Sequence, residues 1–73
     1  MSQRFPWNGI TERAAETMDA ICGYGSLKEA ARKLCMSEST AYSHQSRVKY
    51  AMGARTALAA CLLWDRWRRE SKR

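Results

Sequence analysis

Apolar residues recur every three or four positions along most of the chain, a spacing that places them on one face of an α-helix. No segment alternates apolar and polar residues as a half-buried strand would. The predicted fold class is therefore all-α. Glycines and capping residues divide the pattern into four helices, expected at residues 11–22, 27–35, 38–52 and 55–70.

Side-chain capping signals mark the starts of these predicted helices. Ser26 and Glu29 have the spacing of a capping box, in which the serine hydroxyl accepts a backbone N–H of the first helical turn. Thr11 and Ser37 are the expected N-caps of the first and third helices. Only three residues separate the second predicted helix from the third, so the chain must turn sharply between them.

The third predicted helix has an inward stripe and a polar outward face. The paired alanines of the second helix, Ala30 and Ala31, indicate that two helices cross closely there. A helix held outward after a sharp turn fits the major groove of DNA, which is about 12 Å wide. The inward stripe is expected to contain Ala41, His44, Val48, Ala51 and Met52. The outward face is expected to contain Ser39, Tyr42, Ser43, Gln45, Ser46 and Lys49.

The fourth predicted helix is apolar on more than one face. Residues 57–64 surround the helix almost completely with apolar side chains, and one face is enough for the core of so small a domain. The second face is therefore expected to contact a partner, most simply a second copy of the chain related by two-fold symmetry. The expected interface residues are Leu58, Cys61, Leu62, Leu63 and Trp64.

The first nine residues form a separate segment. They contain Pro6 and Gly9 and show no helical period, so residues 1–9 are expected to form an arm, and residues 10–73 the domain itself. Phe5 and Trp7 are too large to be left bare in water. They are expected to cover part of the core or of a partner's surface.

The charge of the chain narrows the choice of partners. The 73 residues carry a net charge of +6, and the pI is about 9.7. A small basic domain suits a polyanion, although scattered charge also serves solubility. Five of the cations lie within residues 66–73, where they either grip phosphate or form a solvated helix end next to the negative pole of the helix dipole.

Several classes of function find no support in the sequence. The three cysteines are an odd number, and each lies among apolar residues, so buried free thiols in a reducing cytoplasm are expected. A single histidine and the absence of a CxxC pair predict no metal site and no cofactor. No paired carboxylates or nucleophile dyad indicates an enzyme. The N-terminus lacks a signal-peptide core, and the longest apolar run has eight residues, so a cytoplasmic protein without a membrane partner is expected.

Three segments resemble the LuxR/GerE-type helix-turn-helix domain. Residues 10–13 (ITER) are similar to that family's L-T-x-R-E opening, and residues 25–31 (GSLKEAA) to its G-x-S-x-K-E-I-A segment. Residues 34–44 (LCMSESTAYSH) resemble L-x-I-S-x-x-T-V-K-x-H. The resemblance covers residues 10–53, and 54–60 more loosely. Region 4 of sigma factors has a similar pattern that fits Thr40 and His44 less well.

The resemblance implies a four-helix domain whose third helix reads DNA and whose fourth helix often dimerises. By position, Tyr42, Ser43 and Ser46 would face bases, although the family usually has a cation at position 42 and often one near position 46. The positions implied to lie near phosphates are Lys28, Ser39, Thr40, Arg47 and Lys49.

The sequence therefore predicts a sequence-specific, homodimeric regulator of transcription that binds double-stranded DNA. The alternative is a protein-interaction module that pairs with a full-length LuxR-type regulator through the fourth helix and inhibits it. Salt-dependent binding of the purified chain to duplex DNA separates the two hypotheses.

Overall fold

A computed structural model describes residues 5–71, with the side chain of Ser71 left out. It contains four α-helices, and no strand occurs within this range. The all-α prediction is confirmed. Helix α3 has the predicted limits, whereas the ends of the other helices differ from prediction by one or two residues. The helices are α1 (Glu12–Tyr24), α2 (Leu27–Lys33), α3 (Glu38–Met52) and α4 (Ala57–Ser71).

Hydroxyl side chains cap the helix starts as the sequence predicts. The Thr11 hydroxyl accepts the backbone N–H of Ala14 at 3.1 Å, and the Ser37 hydroxyl accepts that of Thr40 at 3.1 Å. Ser26 accepts the N–H of Glu29 at 3.3 Å. Only this half of the predicted capping box forms, because the Glu29 carboxylate pairs with Arg32 one turn later. Helix α4 starts two residues later than predicted, where Thr56 accepts the N–H of Ala59.

Left-handed residues end three of the helical segments. Helix α1 continues through Gly23 and stops at Gly25, whose φ is 71°, and α3 stops at Gly53, whose φ is 72°. Helix α2 was predicted to reach Cys35 but ends at Lys33. Cys35 itself has a φ of 56°, a conformation that a residue with a Cβ adopts only at a cost. The turn from α2 to α3 therefore bends at a non-glycine residue.

Helices α1 and α3 connect the fold. Each of them packs against all three other helices. Small side chains such as Ala14 and Ala60 let the helix backbones approach closely, and larger residues fill the remaining volume. The main core consists of Phe5, Ala14, Ala15, Met18, Val48, Ala60 and Trp64.

Trp64 corrects the expectation that it contacts a partner. Its side chain is 1% exposed, and its indole lies inside the chain's own core. The arm accounts for the difference, because Phe5 and Trp7 pack on α4 with ring centroids 5.9 Å from that of Trp64. Trp67 joins the same cluster, 5.0 Å from Trp64. Of the two predicted positions for Phe5 and Trp7, the structure shows that they cover part of the core, so the Trp64 face of α4 is buried within one chain.

A polar contact fixes α4 on α1 beside this cluster. The Trp64 indole N–H donates to the Asp19 carboxylate at 2.7 Å, and Arg68 donates two hydrogen bonds to the same carboxylate at 2.9 and 2.6 Å. The Arg68 guanidinium also lies 4.9 Å from the centre of the Trp67 ring, within reach of a cation–π interaction. Asp19 therefore satisfies the one polar atom of the most deeply buried tryptophan.

The cysteines differ from the expectation that all three are buried. Cys35 is exposed on the turn between α2 and α3, and Cys22 and Cys61 are half-buried between α1 and α4. Burial raises the pKa of the Cys22 thiol well above its ordinary value, and the neighbouring Cys61 and Asp65 act in the same direction. The Cys22 thiol is therefore protonated at neutral pH.

The helices are short relative to the thickness of a bilayer. The longest, α3 and α4, have 15 residues each, whereas a membrane span needs about 20 apolar residues. Within the described part of the chain, no helix is long and apolar enough to cross a membrane.

The Asp19 contact predicts a large effect from a single substitution. Asp19→Ala leaves the buried indole N–H of Trp64 without an acceptor, which should lower the free energy of unfolding by about 1–3 kcal/mol. Asp65→Ala is the matched control: it removes an exposed carboxylate paired with Arg69, and should cost less than about 1 kcal/mol. Urea denaturation followed by circular dichroism measures both. Equal losses in the two variants would show that the Asp19–Trp64 bond contributes little.

The backbone of Cys35 predicts a stabilising substitution. Cys35→Gly removes the steric cost of the left-handed conformation, and should raise the free energy of unfolding by about 1 kcal/mol. Cys35→Ala keeps the Cβ and should leave stability nearly unchanged. Thermal unfolding of both variants under reducing conditions tests the strain, and a glycine variant no more stable than the alanine variant contradicts it.

Candidate nucleic-acid interface

The turn between α2 and α3, residues 34–37, is held by backbone hydrogen bonds. The N–H of Met36 donates to the Ala31 carbonyl at 2.9 Å, and the N–H of Cys35 donates to the Arg32 carbonyl at 3.2 Å. Arg13 of α1 reaches the turn and donates to the Leu34 carbonyl at 3.0 Å. Ala31 is buried against α1 and α3 as predicted, so the two helices meet in a rigid corner.

One stripe of α3 faces solvent along its whole length. Ser39, Ser43, Arg47 and Tyr50 are all exposed, and their spacing of four, four and three residues places them on the same side of the helix. Ser46 lies beside this stripe and is half-buried. The predicted contact residues Ser39, Ser43 and Arg47 are thus brought together on one surface.

The other predicted contact residues of α3 flank the stripe. Tyr42 is exposed, and Lys49 is half-buried with its ammonium 5.7 Å from the centre of the Tyr50 ring. The Thr40 hydroxyl takes part in the helix cap, because it accepts a hydrogen bond from the Ser37 hydroxyl at 2.9 Å. Lys28 is exposed in the first turn of α2.

One residue of α3 lies on the face opposite to the predicted one, and one exposed residue belongs to neither predicted face. Gln45, expected to point outward, is 9% exposed and belongs to the buried side with Ala41 and Val48. Tyr50, for which the sequence predicts no position, is 80% exposed, more than any other large apolar side chain among the described residues. A strict count of 3.6 residues per turn from Ser39 and Ser43 finds Tyr50, because it stands three residues after Arg47.

Positive charge is concentrated around α2 and α3. Residues 25–56 carry six cations and two anions, whereas the other described residues carry four cations and five anions. Within the described part of the chain, the exposed cations Lys28, Arg47 and Arg55 form no ion pair with a carboxylate. The segment that carries the polar stripe, residues 25–56, is therefore also the basic segment of the described chain, and Arg47 belongs to the stripe itself.

The arginines of α4 form ion pairs with acidic residues. Arg66 pairs with Glu70, Arg69 with Asp65, and Arg68 with Asp19. Two of these pairs lie within α4, and the third joins α4 to α1. Of the two interpretations of the cationic tail, these ion pairs favour a solvated helix end over a contact with DNA phosphate. Lys72 and Arg73 lie outside the described residues.

The predicted interface residues of α4 divide among three environments. Leu58 and Leu62 are 71% and 64% exposed and stand one turn apart, so they form an apolar ridge on the side of α4 opposite Trp64. Leu63 is less exposed and lies about 100° around the helix from Leu62. Cys61 is half-buried, and Trp64 belongs to the core. Among the predicted interface residues, the Leu58–Leu62 ridge is therefore the most exposed apolar surface.

No arrangement of side chains in residues 5–71 indicates a metal site. No group of three or more histidine, cysteine or acidic side chains is placed to hold a metal ion within that range.

Comparison of the chain with protein-family models, with curated proteins and with solved structures finds no match. The case for a function therefore depends on the geometry and charge of this chain alone.

Proposed function

We propose that the chain is a helix-turn-helix protein of the LuxR/GerE type that binds double-stranded DNA through the exposed stripe of α3. The observation that carries this proposal is the coincidence of that stripe with unpaired positive charge on α2 and α3. Phosphate contacts supply much of the affinity of a protein for DNA, and Lys28, Arg47 and Lys49 are available for them. The rigid corner would hold α3 outward, as insertion into a major groove requires.

The side chains of α3 divide into two roles under this proposal. Tyr42, Ser43 and Ser46 would contact base edges with hydroxyl groups that both donate and accept hydrogen bonds. Ser39 and Thr40 would lie near the phosphate at the start of the helix, and Arg47, Lys49 and Lys28 would neutralise phosphates around it. Tyr50 would extend the contact at the far end of the stripe.

We further propose that two chains pair through α4. The Leu58–Leu62 ridge is exposed on the single chain, and opposite charges stand at its ends, Arg55 before it and Asp65 after it. An antiparallel two-fold arrangement would bring Leu58 of each chain against the partner's Leu62 and place Arg55 near the partner's Asp65. Two recognition helices would then reach half-sites about 10 base pairs apart, and the protein would regulate transcription from such sites.

The ridge also supports a second candidate function. The same exposed leucines would serve a module that pairs with a full-length LuxR-type regulator and blocks its dimerisation. In that case α3 need not bind DNA, and the unpaired cations of α2 and α3 would serve solubility. The DNA-binding proposal is favoured because residues 25–56 carry six cations and only two anions, and Arg47, which has no carboxylate partner in the described part of the chain, belongs to the exposed stripe of α3.

The salt dependence of DNA binding tests whether the cations of residues 25–56 contact phosphates. With about six phosphates neutralised, the plot of log affinity against log salt concentration should have a slope of about −5. Arg47→Ala and Lys49→Ala should each weaken binding to every duplex sequence and reduce the slope by about 0.9. Fluorescence anisotropy with a labelled random-sequence duplex measures both quantities.

The matched controls for these variants are Arg66→Ala and Arg69→Ala. Each removes the same charge from an arginine that is paired within α4, so neither should change the slope. If the α4 variants weaken DNA binding as much as the α3 variants do, only net charge matters. If the wild-type chain shows no binding at low salt, the interaction module becomes the better account.

Substitutions in the ridge test the dimer. Leu58→Glu combined with Leu62→Glu should give a monomer with unchanged helix content, since both side chains are mainly exposed in the single chain. Its DNA affinity should fall because the second half-site no longer adds to binding. Leu63→Glu is the control, and should remain dimeric. Light scattering at high micromolar concentration gives the mass, and a monomeric wild-type chain contradicts the homodimer.

A further inference from the structure

A groove runs between α4 and the junction of α1 with α2. Its walls are mainly apolar, and the open groove has a volume of about 430 Å³, within the range of small-molecule sites. Ser26 and Asp65 stand among the lining residues as polar groups. Helices α2 and α4 do not contact each other directly, which leaves the groove open between them. The apolar lining consists of Ile21, Leu27, Leu58 and Leu62, with the thiols of Cys22 and Cys61.

The Gln45 side chain lines this groove from α3. It is more than nine-tenths buried, yet its amide forms no hydrogen bond with any other residue in the described part of the chain. Its amide atoms still reach solvent in the groove, because no side-chain nitrogen or oxygen atom of the described residues is both fully buried and unpaired. A molecule that enters the groove would displace solvent from this amide, and it therefore needs a donor or acceptor that replaces the lost hydrogen bonds.

The charges of the lining residues indicate which kind of molecule the groove can bind. The Cys22 thiol is protonated, so no thiolate is present on that wall. Asp65 is the one charged side chain among the lining residues, and its carboxylate already accepts Arg69. No cation lines the groove to compensate a buried anion. An uncharged group is thus the favoured partner for the Gln45 amide.

We propose that this groove is a binding site for a small uncharged molecule, with an apolar body held by Leu58, Leu62 and Ile21 and an amide, carbonyl or hydroxyl group paired with Gln45. The proposal is independent of DNA binding. Its regulatory consequence rests on the proposed function: Leu58 and Leu62 are both walls of the groove and the dimer ridge, so a bound molecule would be enclosed when two chains pair. Binding and dimerisation would then reinforce each other.

Titration of the ¹⁵N-labelled chain with hexanamide tests the site by NMR. Hexanamide should shift the side-chain NH₂ resonances of Gln45 and the backbone resonances of Ile21 and Leu27. Hexanoate has the same length but a negative charge, and should bind about tenfold more weakly or worse. Gln45→Leu should weaken hexanamide binding about tenfold, because it removes the hydrogen-bonding partner. Ser46→Ala, a change in the neighbouring residue that does not line the groove, should leave binding unchanged.

If the Gln45→Leu variant does not fold, the hexanamide titration of the wild-type chain still tests the site. Unshifted Gln45 NH₂ resonances at saturating hexanamide, or equal binding of hexanamide and hexanoate, would overturn the proposal. A shift of the same resonances with protein concentration, combined with no response to hexanamide, would show that a second chain fills the groove and would also overturn it. DNA affinity of the Gln45→Leu variant, measured separately, should equal that of the wild type, so failure of this site does not count against DNA binding.

Discussion

The burial of Trp64 between α1 and α4 is the contact on which the rest of the structure depends. The indole fills the centre of the core, and Asp19 accepts its only polar hydrogen. Its position sets the rotation of α4 about its own axis. Because Trp64 points inward, Leu58 and Leu62 must point to solvent, on the opposite side of the same helix. The arm then covers the outer side of the tryptophans and completes a core that the helices alone would leave open.

This arrangement separates the domain into surfaces of different character. Helix α1 packs against each of the other helices, and its exposed Arg13 donates to the turn before α3, so α1 also holds the corner between α2 and α3. Glu16, Asp65 and Glu70 pair with arginines of their own helices, and Asp19 pairs with Arg68 across the contact between α1 and α4. In the described part of the chain, Lys28 and Arg47 pair with no carboxylate. Under the proposed function, one side of the molecule meets phosphate and another meets a second chain. The groove lined by Gln45 shares Leu58 and Leu62 with the ridge, so a molecule bound there would also contact the proposed dimer interface.

The parts of the structure that depend on local interactions are predictable from the sequence. The limits of α3 follow from Ser37 and Gly53, since a cap and a left-handed residue act within one turn of the helix. The sequence pattern predicts the wrong environment for Trp64, because its partners Phe5 and Trp7 lie more than 55 positions earlier in the chain. The periodicity within α4 contains no information about that contact. The polarity of Gln45 predicts an outward position, whereas its spacing of four residues from the buried Ala41 places it on the inward face.

The central claim is that the exposed stripe of α3 is the surface that meets DNA. The most direct measurement is an NMR titration of the ¹⁵N-labelled chain with a short duplex, which reports every backbone amide at once. The account predicts that the largest shifts fall on the α2–α3 corner and along the stripe from Ser39 to Tyr50, with small shifts at the outward positions of α1 such as Glu16. Shifts confined to α4, or spread evenly over the molecule, would contradict it.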